Sequence, residues 1–324
     1  MAAYLHRPGM TQTPFTTPIE TTEAGIAGPW RTPHNMLAEQ TYDDHTSIHD
    51  DATAQKMGFK GGAVEGPTHF SQTTPLAVRL FGPEFFEKGC LSAHYRAIVY
   101  DGEQVQAHAA WPEAGAAIAP VWMIKRDGTE VQRGTASFGD AGATALDRRL
   151  GELAPLADPV ITRDITVGYR TGRQTVRMDP DQNMGALYPF SLNQKLEKIT
   201  EPSAWYAGGD NPFGRAIIPF EMISVLLQYT SREDRLPTKG PALGLFADQE
   251  VRLIHGPLFV GETYEVEREV VAITGSRRTE SLWVRSEVFH PGEKKVIASM
   301  LLNHAILKES YASYAEERAA LYPV

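Results

Sequence analysis

Two histidines and four acids stand within nine residues of one another: Asp43, Asp44, His45, His49, Asp50 and Asp51. A carboxylate and an imidazole beside one water can activate that water and deliver a proton to carbon. A glycine-rich turn follows, Gly58-Phe59-Lys60-Gly61-Gly62, and Ala63-Val64-Glu65-Gly66 then leads into an apolar segment. Backbone N–H groups at the head of a helix stabilise developing negative charge, helped by the helix dipole. No other part of the chain sets so many proton-transfer groups beside backbone that can approach a ligand closely. An Asp/His pair five residues apart is also common in polar loops, so the surrounding elements decide its meaning. His45 competes with His49 for the imidazole role. Asp43, Asp50 and Asp51 are expected to be solvated or capping acids, because Asp before a short helix is a common N-cap.

The elements that must position these groups are legible in outline. Residues 1–27, rich in Thr, Pro and Gly, are expected to form an extended arm or loose lead-in. Asp50–Met57 suits a short helix that Gly58 stops. Phe70, Thr73, Ala77, Leu80 and Phe81 recur at helical spacing over 66–81, although Pro75 implies a kink or a later start. Strand signals follow over 91–99, 105–111, 117–124 and 131–138, with turns at Asp101-Gly102 and Asp127-Gly128. Residues 139–160 are expected to link two halves.

The second half repeats the order. Strands are expected over 161–169 and 175–178, a helix over 192–199 and an apolar helix over 220–229. Strands are expected again from Val251 to Ile306. The segment Tyr95–Glu103 resembles Ile254–Glu262, and each half runs glycine turn, apolar helix, strands. A helix followed by antiparallel strands implies an α+β fold, a curved sheet covering one buried helix, built twice. Aligning Phe59 with Phe213 places the counterpart of the Asp44–His49 segment near Glu197–Pro202, where no Asp/His pair stands. Met222, Leu226, Trp205 and Tyr206 are candidates to line a ligand tunnel, against ordinary core packing.

Asp44-x-Thr46-x-x-His49-x-Asp51, then Gly58-Phe59 and Val64-x-Gly66, resembles the signature of the MaoC-like, (R)-specific enoyl-CoA hydratases. The resemblance implies a double hotdog: an arm at 1–27, a hotdog domain at 28–150 and a second one, lacking the dyad, at 151–324. It implies that catalytic Asp44 and His49 share one water as base and acid, and it selects His49 over His45. It implies that the Gly66 backbone N–H faces the acyl oxygen, with Thr46, Val64 and Glu65 around the substrate. The substrate implied is an acyl-CoA thioester; no metal and no redox cofactor are expected, because the thioester itself acidifies the α-proton. The chain departs from the pattern at Thr46-Ser47, where Asn-Pro is usual, and at Glu65, where relatives commonly carry His. Glu65 would then bind a polar substrate group or be solvated. These departures bear on the substrate class more than on the reaction. A hotdog thioesterase using Glu65, or a non-catalytic acyl-binding subunit, are the alternatives.

Composition narrows the field. The chain has 324 residues, 42% hydrophobic and 22% charged, with net charge -9. Acidity argues against nucleic acid as the main partner. The single Cys90 forms no intramolecular disulfide, and a reducing, cytoplasmic setting is the simplest expectation. Met1–Phe15 has no apolar run of the secretory kind, and no membrane partner is expected. There is no Gly-x-Ser-x-Gly elbow, P-loop or dinucleotide fingerprint. Hotdog folds pair; two in one chain satisfy the pairing or go on to a homodimer.

Overall fold

The computed structural model describes residues 13–43, 45–209 and 211–323; Asp44, the acid of the motif, lies outside the described residues. The chain begins with short strands β1 (Glu20–Thr21) and β2 (Gly25–Ala27), then the paired β3 (Thr41–Tyr42) and β4 (His45–Thr46). Helix α1 (Asp51–Lys56) is capped by the Asp50 carboxylate, which accepts the Thr53 N–H at 2.8 Å. Gly58, at φ 79°, follows its end. A 3-10 turn, Gly66–Thr68, opens into α2 (His69–Phe81), followed by α3 (Phe85–Lys88). Strands β5 (Gly89–Tyr95), β6 (Val105–Ala110), β7 (Ile118–Lys125) and β8 (Glu130–Phe138) complete the first half. The second half runs α4 (Ala145–Glu152), β9 (Gln174–Arg177), α5 (Leu192–Leu196), α6 (Phe220–Gln228), then β10 (Gly244–Leu253), β11 (Thr263–Gly275), β12 (Thr279–Phe289), β13 (Val296–Leu307) and α7 (Tyr314–Leu321).

Eleven strands form one sheet in the order β1-β2-β6-β7-β8-β5-β10-β13-β12-β11-β9. The halves join at β5 and β10, antiparallel, with Leu91 opposite Val251. Each half's helix lies against the sheet, α2 on β6 and β8 and α6 on β9 and β10, and the two helices touch each other. Eleven of the thirteen residues of α2 are buried, so it is a central helix rather than an amphipathic cover. Pro75 lies within it; the missing N–H leaves the Ser71 carbonyl without its donor one turn on. No helix among the described residues is long and apolar enough to cross a membrane.

The same bonds recur in both halves. Ala63 N–H donates to the Ile48 carbonyl and Val64 N–H to that of Val99; Ile217 N–H donates to Trp205 and Ile218 N–H to Leu258. Val99 and Leu258 are the positions that the Tyr95–Glu103 and Ile254–Glu262 likeness aligns.

One expected segment differs, and two take a definite form. The described part of the lead-in, from residue 13, is not loose: β2 pairs with β6 and carries β1 at the sheet edge. Residues 161–169 are not a strand, because Glu280 takes the place of a strand partner: its carboxylate accepts the N–H of Val160 at 2.9 Å and of Thr162 at 3.0 Å. Residues 139–160 hold α4, set by a capping box in which Thr144 and Asp147 satisfy each other's backbone N–H. Leu146 of α4 packs with Trp283 and Leu301. The Thr144 hydroxyl also donates to Glu250 at 2.6 Å, tying α4 to β10. Thr144→Ala should therefore cost about 1–2 kcal/mol, read as a lower urea midpoint with an unchanged slope.

Candidate functional site

A cavity of about 830 Å³ is walled by both halves, with His49, Val64, Glu65, Gly66, His69 and Tyr95 on one side and Tyr188, Arg268 and His304 among those on the other. The His49 backbone is pinned by neighbours: its carbonyl accepts from Asn35 Nδ2 at 2.8 Å and its N–H donates to Ser47 Oγ at 3.1 Å. Across the turn, Asp51 accepts the Gly62 N–H at 2.7 Å. Asp50 and Asp51, just after His49, are thus used in capping and turn-closing.

His49 Nδ1 lies 2.6 Å from the Ala63 carbonyl oxygen. A carbonyl only accepts, so Nδ1 carries the proton and Nε2 carries a lone pair. Burial pushes the pKa of this imidazole down, outweighing the pull of the Ala63 carbonyl and of Glu65. His49 is therefore neutral at pH 7, with a basic nitrogen available.

Gly66 N–H has no protein acceptor among the described residues. Its α-carbon faces the Tyr95 ring, whose atoms a Cβ would meet at 2.6–2.9 Å. The glycine was expected to leave room for ligand; the space beside it is filled by Tyr95. The Tyr95 hydroxyl donates to Gln249 Oε1 at 2.9 Å, so the second half holds the ring in place. Val64 lines the cavity with its N–H bound to Val99 at 2.8 Å.

Glu65 is neither solvated nor free for a substrate group. Lys195 Nζ, from α5, lies 2.7 Å from Glu65 Oε1 and 2.8 Å from Thr68 Oγ1. Glu65 and Lys195 are 4% and 2% exposed, so this is a buried ion pair between halves. Thr46, expected at the substrate, is instead bonded through its hydroxyl to Thr53 and is not part of the cavity wall. His45 also lies off the wall, its Nδ1 2.8 Å from the Thr46 carbonyl and its ring against Tyr42. His69 does reach the wall; burial lowers its pKa to about 4, so it stays neutral, 3.4 Å from Gln72 Oε1.

The repeated bonds locate the second half's counterpart. Trp205 stands where Ile48 does, so Tyr206 takes the place of His49, and Glu201 stands five residues before Tyr206 as Asp44 does before His49. The turn is three residues shorter here (217 − 206 = 11 against 63 − 49 = 14), which displaces the expected Glu197–Pro202 register. Arg31 Nε donates to Glu201 at 2.6 Å, Thr17 bonds the same carboxylate, and Phe15 packs on Tyr206. Met222, Leu226, Trp205 and Tyr206 are buried core and do not line the cavity.

Lys195, Tyr95 and Arg268 were not anticipated at the site. Nothing in the local pattern of a short helix or strand marks a partner distant in sequence. Glu221, at the start of α6, is a further buried acid: both oxygens lack a partner among the described residues, and burial lifts its pKa to about 7.

No family model matches the sequence, and no curated protein matches it. Solved structures do. A MaoC-domain dehydratase candidate from Chloroflexus aurantiacus is similar at TM-score 0.52 and 15% identity, covering 91% of this chain and 95% of its own. A Mycobacterium tuberculosis protein with a double hotdog fold is similar at TM-score 0.51 and 14% identity, covering 88% and 97%. These likenesses establish the fold: the chain is a double hotdog protein of the α+β class.

Two expectations follow. Lys195→Met leaves the Glu65 carboxylate buried alone and should cost roughly 3–5 kcal/mol, while Glu65→Gln combined with Lys195→Met recovers most of it in denaturant unfolding. Glu221 binds its proton more tightly folded than unfolded, since its pKa rises from the ordinary 4.5 to about 7. The stability it contributes is present below pH 4.5 and lost as pH rises through 7. Glu221→Gln should therefore be on the order of 1–3 kcal/mol more stable than the parent at pH 8 and equal to it at pH 4.

Proposed function

We propose that the chain is a hydratase or dehydratase that adds water to, or removes it from, the 2,3-position of an acyl thioester, with CoA as the carrier. The observation that carries this reading is the pairing of His49 Nε2, left basic by the Nδ1 bond to Ala63, with an unengaged Gly66 N–H in the wall of one cavity. In the hydration direction, Nε2 takes a proton as the water oxygen bonds C3. The Gly66 N–H donates to the thioester oxygen as negative charge gathers there. Asp44, the motif's acid, shares the water and supplies the proton to C2; the proton on His49 then returns to it. Val64 and Glu65 build the turn that aims the Gly66 N–H. The Chloroflexus aurantiacus protein of like fold is named for dehydratase chemistry, which agrees with this reading.

A thioesterase would need a carboxylate free to activate water against the carbonyl. Glu65, the candidate for that role, is engaged by Lys195.

The test is absorbance at the enoyl-thioester band with crotonyl-CoA, mesaconyl-CoA and a longer enoyl-CoA, beside a thiol reagent. Loss of the band without thiol release is expected, and His49→Ala should lower the rate roughly 100-fold or more. Because burial lowers the His49 pKa from 6.5, the neutral imidazole predominates at pH 6.5, and the acid limb of kcat/KM should fall below that pH. Thiol release, or an unchanged rate in His49→Ala, would overturn the reading.

A further inference from the structure

Along β11 the side chains alternate, with Tyr264, Val266, Arg268 and Val270 buried on one face. Three of these suit the interior of a sheet; the fourth is a guanidinium. On the opposite face Glu265, Glu267 and Glu269 are all paired, with Arg173 and Arg170. Those acids are out of reach of Arg268, which is 3% exposed and lines the cavity.

The partners of Arg268 are neutral. It donates to the Leu227 carbonyl at 2.6 Å, to Thr230 Oγ1 at 3.0 Å and to the Gln174 side chain, and its Nε–H has no acceptor among the described residues. Among the described residues no carboxylate forms an ion pair with it. Asp234 and Glu233 act on it only from a distance, and Asp234 already accepts the Gly172 N–H at 2.7 Å. Burial accordingly pulls its pKa down to about 10. The bonds to Leu227 and Thr230 close the end of α6, where a cation is favoured, but a helix end carries only about half an elementary charge. A positive charge without a directly bonded carboxylate therefore remains in a wall that holds apolar Leu282, Val284 and Leu302 together with Asp234, Arg232 and Arg235. A buried charge without a counter-ion is costly, and a ligand anion would remove that cost. Tyr188, in the same wall, is within electrostatic reach of both Glu65 and Arg268.

We propose that Arg268 is a specificity determinant that binds a carboxylate at the end of the acyl chain, so that the substrate is the thioester of a dicarboxylic acid. This rests on the thioester reading of the cavity. It does not require that hydration be the reaction.

The experiment is calorimetric binding of unreactive saturated esters. Succinyl-, glutaryl- and adipoyl-CoA are compared with butyryl-, valeryl- and hexanoyl-CoA on the full chain and on Arg268→Gln. The parent should bind at least one diacid ester roughly tenfold or more tightly than the monoacid of equal length, as a charge-assisted bond requires. Arg268→Gln should bring that ratio near one while leaving the monoacid Kd within about threefold, since only the carboxylate contact is lost. Equal affinities in the parent overturn the proposal, whether or not the variant folds. A diacid preference that survives in Arg268→Gln, or an equal weakening of both classes, overturns it as well. Failure of every ester to bind would sink the thioester reading too, whereas equal binding sinks the inference alone.

Discussion

The head of α2 is held by an ion pair that neither half makes alone. Lys195 reaches across the boundary to Glu65 and Thr68, either side of Gly66, in a place that is almost dry. A lysine and a glutamate out of water repel folding singly and tolerate it together. The pair therefore forces the two halves into one arrangement, and that arrangement sets the direction of the Gly66 N–H. Tyr95 adds a second restraint: its ring fills the space a side chain at Gly66 would need, and its hydroxyl is held by Gln249 of β10. The cavity is thus a property of the joined sheet rather than of either half.

Electrostatics in the wall follow from this enclosure. Burial lowers the pKa of His49 and His69 and raises that of Glu221, and in each case it favours the neutral form. Arg268 is the group for which neutrality is out of reach, even with its pKa pulled down to about 10. A site whose histidines are kept neutral beside a buried cation has an electrical polarity before any ligand arrives.

Much of the frame is legible in the sequence because it depends on local rules. The 3.6-residue period of α6, the alternation of β6, the turn at Gly128 and the Asp50 cap of α1 are each decided within a few residues. What escapes is settled at long range. Glu280 holds Val160 and Thr162 in place of a ladder partner, so a strand-like composition at 161–169 yields turns. The register of the second half slips by three residues in a turn whose length no periodicity reports. Thr46 and Glu65, both placed near substrate by motif, are diverted by Thr53 and Lys195. The motif identifies which residues stand together, but not which are already engaged by neighbours.

At the position answering to the dyad, the second half carries Glu201 and Tyr206, closed over by Arg31, Thr17 and Phe15. In a symmetric pair of identical chains every substitution occurs twice, so a residue that improves one cleft is imposed on the other. A chain that contains both copies escapes that rule. One cleft can be sealed as a joint while its partner acquires groups, such as Lys195 and Arg268, that need suit only a single occupant. Each copy can then change without the change being imposed on the other.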